Sequence, residues 1–193
     1  GPLQQAQSHI EEAGLQDRIH TRLSDGLTQY REGEADCLII AGMGGPLMQE
    51  ILSNEKVEDF KEIILAPQSE ICEFRKFLAD HGFEIIAENM VLEDGKYYPM
   101  MKVHLVVKGE KSWKALSIPG TRDEEVAYRF GPLLLAQKHP VLRQYLHKEE
   151  RKNIAILNSL KEYEGERISA RRNILEQELF FIRKALQEME GEG

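Results

Sequence analysis

A glycine-rich turn is the feature of this sequence most suited to chemistry. It reads Ala41-Gly42-Met43-Gly44-Gly45 and follows the apolar run DCLIIA. Glycines let a backbone adopt positive φ angles and approach a ligand closely. The helix that should follow would direct free N–H groups at the same place. The turn is neither a Walker loop nor the dinucleotide fingerprint, because no Lys-Ser/Thr follows and the spacing is G-x-G-G. A tight strand-to-helix turn without a ligand is the alternative interpretation.

Two further loops carry polar groups that could meet a nucleobase. Ser24-Asp25-Gly26 follows a predicted short strand, RIHTRL, and the carboxylate of Asp25 could accept a hydrogen bond from an amino group such as adenine N6. Pro67-Gln68 follows the apolar run EIIL, and the Gln68 amide offers both a donor and an acceptor. Taken singly, a plain turn and a surface loop are the favoured readings. Open parallel sheets bind ligands at the carboxyl ends of their strands, so we expect all three loops at one edge.

Strands and helices alternate over the first part of the chain. Helices are predicted over residues 3–13, from about 47 to 52 and over 70–81, and strands over 36–41, 62–65, 83–87 and within 97–108. Continuous apolar strands are typical of a parallel sheet buried on both faces, which indicates an α/β fold with a mostly parallel sheet. Asp94-Gly95 lies between two apolar runs and predicts a hairpin that adds an antiparallel edge.

The alternation stops at about residue 133, and heptad spacing replaces it. Apolar residues then step by three and four, a pattern that predicts two helices and an antiparallel coiled-coil hairpin. The first seam is Leu142, Leu146, Ile156, Leu160 and Tyr163, with Glu149 and Asn153 as polar interruptions, and the second is Leu175, Leu179, Ile182, Leu186 and Met189. We therefore divide the chain into an α/β domain over 1–110, a connector over 111–132 and a helical coiled-coil domain over 133–193.

Composition excludes several classes of protein. The 193 residues carry a net charge of −8, and residues 141–193 are neutral with ten charges of each sign. An acidic chain is a poor candidate for non-specific nucleic-acid binding, since phosphate neutralisation drives such binding. No apolar run is long enough for a membrane span, and no secretory signal opens the chain. Cys37 and Cys72 fit neither a metal site nor a disulfide framework, and the histidines show no metal spacing, so a cytoplasmic protein without a metal is expected.

Taken together, these segments resemble the bacterial tRNA (adenine-22-N1)-methyltransferase family. The resemblance rests on LSDGL, DCLIIAGMGGPLMQEIL, IILAPQSE, RKFLADHGFEIIAENMVLEDGKYYPMMKV and RFGP, and it covers essentially the whole chain. The family implies a Rossmann-like class I methyltransferase core with a C-terminal coiled-coil hairpin. It also implies S-adenosyl-L-methionine as cofactor and N1 of adenine 22 in tRNA as the methyl acceptor.

The resemblance also implies roles for individual residues, although it assigns no catalytic base. The positions implied to bind the cofactor are Ser24, Asp25, Gly26, Leu27, Ala41, Gly42 and Met43. The positions implied to bind the substrate base are Gly44, Gly45, Pro67 and Gln68. Partner expectations are tRNA and no membrane, and the sequence does not fix the oligomeric state.

One departure from the family pattern bears on activity. The family's first motif resembles D-x-G-S-D-H-A-Y-L-P, and this sequence does not contain it. We therefore expect an N-terminally truncated core that binds cofactor weakly or not at all and is inactive by itself. A non-catalytic RNA- or protein-binding module with a degenerate Rossmann-like core is the alternative function.

Overall fold

A computed structural model of the chain describes residues 1–106 and 123–191. Its strands are β1 (Cys37–Met43), β2 (Glu62–Pro67), β3 (Phe83–Glu93) and β4 (Lys96–Leu105). Its helices are α1 (Pro2–Glu12), α2 (Gly45–Leu52), α3 (Ile71–Asp80), α4 (Glu124–Phe130), α5 (Pro132–Ala136), α6 (Pro140–Ser159) and α7 (Glu166–Glu190). The predicted alternation of helices and strands over the first part of the chain is confirmed.

The four strands form one sheet in the order β1-β2-β4-β3. β1 and β2 are parallel, whereas β4 runs antiparallel to both β2 and β3. Three strands therefore point the same way, but only one of the three pairings is parallel. The expectation of an antiparallel edge was wrong, because β4 inserts between β2 and β3 and leaves β3 at the edge.

The Asp94-Gly95 hairpin is confirmed, and its geometry explains the sequence signal. Asp94 has φ 48° and Gly95 has φ 76°, so both central residues of the turn are left-handed. Turns of this kind match the twist of the flanking strands, and Asp-Gly tolerates them well. Both strands are longer than predicted, and Val91 and Leu92 belong to β3.

A β-bulge changes which residues of β3 face inward. Ile85 pairs with Val103 and Ala87 pairs with Lys102, so Ile86 is an extra residue without a partner in the ladder. A bulge of one residue reverses the alternation of side chains beyond it. The buried positions accordingly change from Phe83 to Glu88 and Met90.

The first of two hydrophobic clusters lies on the face of the sheet covered by α2 and α3. It brings together Leu27, Ile40, Met48, Leu52, Val57, Ile63, Leu65, Phe74, Leu78, Phe83, Met101 and Val103. Helix α3 presents Phe74 and Leu78 to it, and both are fully buried. This cluster fixes the strands that carry the glycine turn.

The second cluster joins the C-terminal helices to β3. Met90 of β3 packs there with Val126 of α4, Leu134 of α5, Leu142 of α6 and Ile182 of α7. Helix α4 lies inside the predicted connector and contacts α3, so the described end of that connector is ordered structure. Residues 111–122 of the predicted connector lie outside the described residues, and the domain boundaries stay predictions.

Helices α6 and α7 form the predicted antiparallel hairpin. Arg143 donates to the Met189 carbonyl (3.3 Å) near its base, and Asn153 donates to Glu178 (3.0 Å) midway. The second predicted seam is buried throughout: Leu175, Leu179, Ile182, Leu186 and Met189. The first seam is buried only near the base of the hairpin, and Tyr163 is 62% exposed, so its placement in the seam was wrong.

Two other expectations from the sequence were wrong. Residues 18–23 form no strand, and Leu23 is 79% exposed. β1 is not buried on both faces, because Ile40 is buried while Ile39 is 65% exposed. β1 is the edge strand of the described sheet, so its second face lacks the cover that a central strand would have. Within 1–106 and 123–191, no helix is both long and apolar enough to cross a membrane.

Candidate functional site

The glycine turn begins at a second bulge, at the carboxyl end of β1. Ala41 pairs with Ala66 and Met43 pairs with Pro67, so Gly42 is left out of the ladder. Gly42 has φ 77°, a conformation that strains any residue with a Cβ. Ala41, Gly42 and Met43 are all exposed, which leaves the backbone of this strand end open to a ligand.

The glycine turn contacts the loop that follows β2. Gln68 donates its N–H to the Met43 carbonyl (2.9 Å), and Gly45 donates its N–H to the Ser69 carbonyl (3.1 Å). A Cβ on Gly45 would lie 3.0 Å from that same Ser69 oxygen, so glycine permits the approach. The structure therefore brings together the predicted residues 41–45 and 67–68.

Ser69 and Glu70 complete this contact, and the candidate residues predicted from sequence did not include them. The hydroxyl of Ser69 lies only 2.7 Å from where a Cβ on Gly44 would be. Glu70 begins α3 in a left-handed conformation with φ 53°. The available sequence signal was weak, because a serine and a glutamate before a helix usually indicate nothing more than a cap.

The start of α2 offers fewer free donors than the sequence suggested. Gly45, the first helical residue, already donates its N–H to Ser69, and the next residue, Pro46, has no N–H. The expectation of several free N–H groups aimed at a ligand therefore fails for the first two helical positions. Recognition at this edge would depend more on the strand-end backbone and on the exposed Gln68 amide.

The Ser24–Leu27 loop packs on the other end of α2. Gly26 has φ 51°, and a Cβ there would lie 3.2 Å from the Ile51 side chain. The Ser24 hydroxyl donates to the Gly26 carbonyl (2.9 Å) and accepts from the Gln29 N–H (3.1 Å), so this hydroxyl shapes the loop itself. Leu27 is buried in the first cluster. Asp25 is exposed and is the side chain of this loop most open to a ligand.

Lys56 holds this loop in place, although sequence analysis did not select it. Its ammonium donates to the carbonyls of Leu27 (3.1 Å), Thr28 (3.0 Å) and Tyr30 (2.9 Å). One cation thus satisfies three carbonyls that would otherwise need water. The contacts join residues more than 25 positions apart in sequence, so no local pattern predicts them.

Two carboxylates order the residues just after this loop. Asp59 accepts from the Tyr30 hydroxyl and from the Gly33 N–H (2.8 Å), and these bonds lower the pKa of Asp59. Glu34 accepts from the Arg22 guanidinium, which lowers the pKa of Glu34 to about 2. The Arg31 backbone N–H also donates to Glu34 (3.0 Å). The segment lacks a strand, and side-chain hydrogen bonds give it shape instead.

The predicted site residues divide into an open and a buried group. Ser24, Asp25, Gly26, Ala41, Gly42, Met43 and Gln68 are exposed, Gly44 is half-buried, and Leu27, Gly45 and Pro67 are buried. At the carboxyl edge of the sheet, the open group combines accessible backbone, an amide and a thioether, from Ala41, Gly42, Met43 and Gln68. The exposed carboxylate of Asp25 lies on the loop that packs on the other end of α2, so the expectation of three loops at one edge is confirmed for two of them. That set fits an elongated ligand with both polar and apolar parts.

A family model described as TrmK, tRNA (adenine(22)-N(1))-methyltransferase, matches residues 1–184. The chain belongs to the TrmK family. A curated tRNA (adenine(22)-N(1))-methyltransferase of Bacillus subtilis is 36% identical over 103 residues, which is 52% of this chain and 43% of that relative. The chain thus spans less than half the length of this TrmK relative.

Solved structures show that the fold is the Rossmann-like fold of this family. A Streptococcus agalactiae protein of the NADB-Rossmann superfamily superposes with a TM-score of 0.74 at 30% identity, covering 96% of this chain and 76% of that one. A Streptococcus pneumoniae protein in complex with S-adenosyl-L-methionine superposes with a TM-score of 0.73 at 30% identity, covering 96% and 77%. The TrmK fold predicted from sequence is confirmed.

The part of the TrmK chain that the structure describes holds no group of three or more His, Cys, Asp or Glu side chains able to bind a metal ion. Burial raises the pKa of the Cys72 thiol, which makes Cys72 a weaker nucleophile at neutral pH.

Proposed function

We propose that the chain serves S-adenosyl-L-methionine-dependent methylation of N1 of adenine 22 in tRNA. The observation that carries the proposal is the open strand end Ala41–Met43 joined to the Gln68–Ser69 loop, in a chain that belongs to the TrmK family. Ligands of open α/β sheets bind at the carboxyl ends of the strands, where this junction lies.

The exposed residues suit the cofactor that the family uses. S-adenosyl-L-methionine supplies an electrophilic methyl group on a sulfonium. Gly42 carries no side chain over the strand end, so backbone at Ala41–Met43 is free to line the amino-acid part of the ligand. Asp25, exposed in the loop on α2, suits the adenine amino group, because a carboxylate accepts hydrogen bonds from such donors.

Positioning is the main task for the acceptor base. Adenine N1 is nucleophilic when neutral, so the site must align its lone pair with the methyl group, and no base has to remove a proton first. The exposed amide of Gln68 lies beside Gly42 and can donate to or accept from the edge of a nucleobase. We assign Gln68, with the backbone of Gly44, to holding the base in line.

The hairpin offers the surface best suited to the rest of the RNA. A groove of about 820 Å³ runs along α6 and α7. Its lining includes four cations, Lys161, Arg172, Arg183 and Lys184, one carboxylate, Glu176, and Phe180, which is 53% exposed. Arg183 and Lys184 also form ion pairs with Glu150 and Asp123. Cations contact phosphates and an exposed aromatic ring can stack on an unpaired base. The alternative function, binding of RNA without catalysis, would use this same groove.

A methylation assay separates the two functions. Unmodified tRNA and the same tRNA with guanine at position 22 are incubated with the full-length protein and methyl-labelled S-adenosyl-L-methionine, because residues 1–193 alone are expected to be inactive. We expect 1-methyladenosine at position 22 of the first tRNA and no label at that position in the second. Binding of the tRNA without methyl transfer would support the RNA-binding module and contradict the proposal.

Gln68→Ala sharpens this assay, with Gln49→Ala on α2 as a control of the same type. Loss of one positioning hydrogen bond should lower kcat/KM by about tenfold to a hundredfold. Unchanged kinetics would remove Gln68 from the site.

Calorimetry of residues 1–193 with S-adenosyl-L-methionine tests the separate expectation that this chain binds cofactor weakly or not at all. A tRNA substrate would place the protein in the cytoplasm.

A further inference from the structure

A buried ion pair connects the sheet to the C-terminal helices. Arg75 of α3 donates from Nε to Oε1 of Glu88 of β3 (3.0 Å), and their side chains are 2% and 0% exposed. Neither residue belongs to the site at the glycine turn. Among the residues that the structure describes, Arg75 and Glu88 are the only buried charged residues, and Phe74, Leu78 and Met90, close to them in sequence, are buried and apolar.

The same two side chains also bind the junction between α4 and α5. Arg75 donates from its Nη1 to the carbonyls of Tyr128 (2.9 Å) and Arg129 (3.2 Å). Glu88 Oε2 accepts from the N–H groups of Leu133 (2.9 Å) and Leu134 (3.4 Å). The pair thus caps the end of α4 and the start of α5.

Gly131 lets the junction come close enough for these contacts. A Cβ there would lie 2.8 Å from both Glu88 carboxylate oxygens and 2.9 Å from Arg75 Nη2. Its φ of 96° is also a conformation that favours glycine. We define Arg75, Glu88 and Gly131 as the joint.

We propose that the joint sets the orientation of the α6–α7 hairpin relative to the sheet. Its residues are positioning residues, because they touch neither the glycine turn nor the groove on the hairpin. A buried ion pair is seldom the most stable choice, since apolar side chains of similar size often serve as well or better. What apolar side chains cannot supply is directional bonding to four backbone groups of one junction.

The consequence for RNA follows from the geometry and rests on the proposed function. RNA held in the groove of the hairpin meets the glycine turn only if hairpin and sheet keep one mutual orientation. A looser joint should therefore raise KM for tRNA while the Kd for S-adenosyl-L-methionine stays the same. A joint that served stability alone would not produce that separation.

Distance measurement between spin labels tests the orientation directly. Cys37 and Cys72 are replaced by serine, and labels are attached at Glu50→Cys on α2 and Asn173→Cys on α7, both exposed in helices. The protein with an intact joint should give one narrow distance distribution. In Arg75→Met/Glu88→Leu, which removes both charges and keeps the volume, we expect the distribution to broaden by about twofold or more.

The matched control is Lys76→Met/Glu125→Leu. Lys76 and Glu125 form an ion pair of 3.1 Å between the same two elements, α3 and α4, but each side chain is 33% exposed. This control should leave the distribution unchanged. Far-UV circular dichroism and denaturation midpoints establish that each labelled variant is folded before distances are compared.

An unchanged narrow distribution in folded Arg75→Met/Glu88→Leu would overturn the proposal. If that variant does not fold, Glu88→Gln carries the test, because the amide keeps an acceptor for Leu133 and removes the charge. An unchanged distribution and an unchanged KM for tRNA in Glu88→Gln would overturn the proposal equally. The distances need no enzymatic activity. A broadened distribution, together with a full-length protein that methylates no tRNA, would therefore refute the proposed function and leave the joint standing.

Discussion

The two ends of the sheet are built on different principles. At the β1 end, backbone hydrogen bonds and three glycines bring the strand end to the Gln68–Ser69 loop. At the β3 end, a buried arginine and a buried glutamate hold a helix junction through directional charged bonds. The first end is open to solvent over Ala41–Met43, whereas the Arg75–Glu88 pair at the second end is closed to solvent.

In our proposals, the β1 end binds the ligand, whereas the β3 end sets the orientation of the α6–α7 hairpin. An end shaped by backbone can stay open, because it needs no side chain over the strand to keep its form. An end shaped by buried charge must exclude water, since the strength of its bonds depends on a low local dielectric. We therefore expect substitutions at the β3 end to cost more stability than comparable substitutions at the β1 end.

Gly131→Ala should show the largest effect and tests the closed end. The new Cβ would meet the Glu88 carboxylate at 2.8 Å, and that carboxylate is held by Arg75 and two N–H groups, so it cannot move away freely. Backbone strain at φ 96° adds to this cost. We expect a loss of about 3 kcal/mol in the free energy of unfolding, measured by denaturant titration.

Gly82→Ala is the matched control for this prediction. Gly82 has φ 79° but open space around the Cβ position, so it isolates the conformational cost. That cost should be about 1 kcal/mol. Equal losses in free energy of unfolding in the two variants would mean that the joint accommodates the added Cβ without cost. That result would contradict the contrast between the two ends of the sheet.

Lys56→Met comes next and tests the Ser24–Leu27 loop, which packs on the other end of α2. The change removes three hydrogen bonds to the carbonyls of Leu27, Thr28 and Tyr30 and keeps most of the apolar stem. We expect a loss of about 2 kcal/mol, together with faster amide exchange in residues 24–30. Lys61→Met is the control, because its ion pair with Asp36 is 79% exposed on both sides and should contribute little to stability.

Gly45→Ala should have a smaller effect, since two terms oppose each other. The Cβ would press on the Ser69 and Glu70 carbonyls at 3.0 and 3.3 Å, while alanine favours the helix that begins there. We expect a net loss of about 1 kcal/mol in the free energy of unfolding, which is the steric cost less the gain in helix propensity.

For Gly44→Ala, the close atom is the rotatable Ser69 hydroxyl, so we expect a loss below about 0.5 kcal/mol in the free energy of unfolding. A larger loss for Gly44→Ala would contradict a backbone-defined site.

The same contrast explains how far the sequence could predict the molecule. Apolar runs, Asp94-Gly95 and the α7 heptads are local signals, and the corresponding strands, turn and helix are present. The glycine turn was also found locally, because bulged strand ends demand glycine. Its contact with the loop after β2 followed from a general rule for parallel strands and is seen in the structure.

Long-range contacts escaped prediction for a physical reason. Arg75 and Glu88 are ordinary charged residues until the bulge at Ile86 turns Glu88 inward, and no single-sequence pattern reveals a bulge there. Arg75 did carry a hint, since it lies four residues after Ile71 and three before Leu78 on the apolar stripe of α3. Lys56 gave no hint at all. The strand predicted over residues 18–23 failed because short alternation in a polar segment is weak evidence without a partner strand.

The exposed pair Arg22–Glu34 should give the smallest effect and offers a direct contrast with Arg75–Glu88. The hydrogen bond from Arg22 is the main reason why the pKa of Glu34 falls to about 2 from an ordinary value of 4.5. A carboxylate with a depressed pKa stabilises the folded loop above pH 4.5, and this contribution is lost as the pH falls towards 2. Salt should weaken it as well, because the pair is exposed.

A pH titration of the Glu34 side-chain carbon by NMR measures this effect. We expect a midpoint near 2, which Arg22→Met should shift upward, although the Arg31 N–H would keep it below 4.5. Arg22→Met should change the denaturation midpoint far less than Glu88→Gln does, because water replaces the lost partner of an exposed carboxylate but cannot reach Glu88. Two results would contradict this contrast. One is a Glu34 midpoint that Arg22→Met leaves unchanged, and the other is equal destabilisation by Arg22→Met and Glu88→Gln.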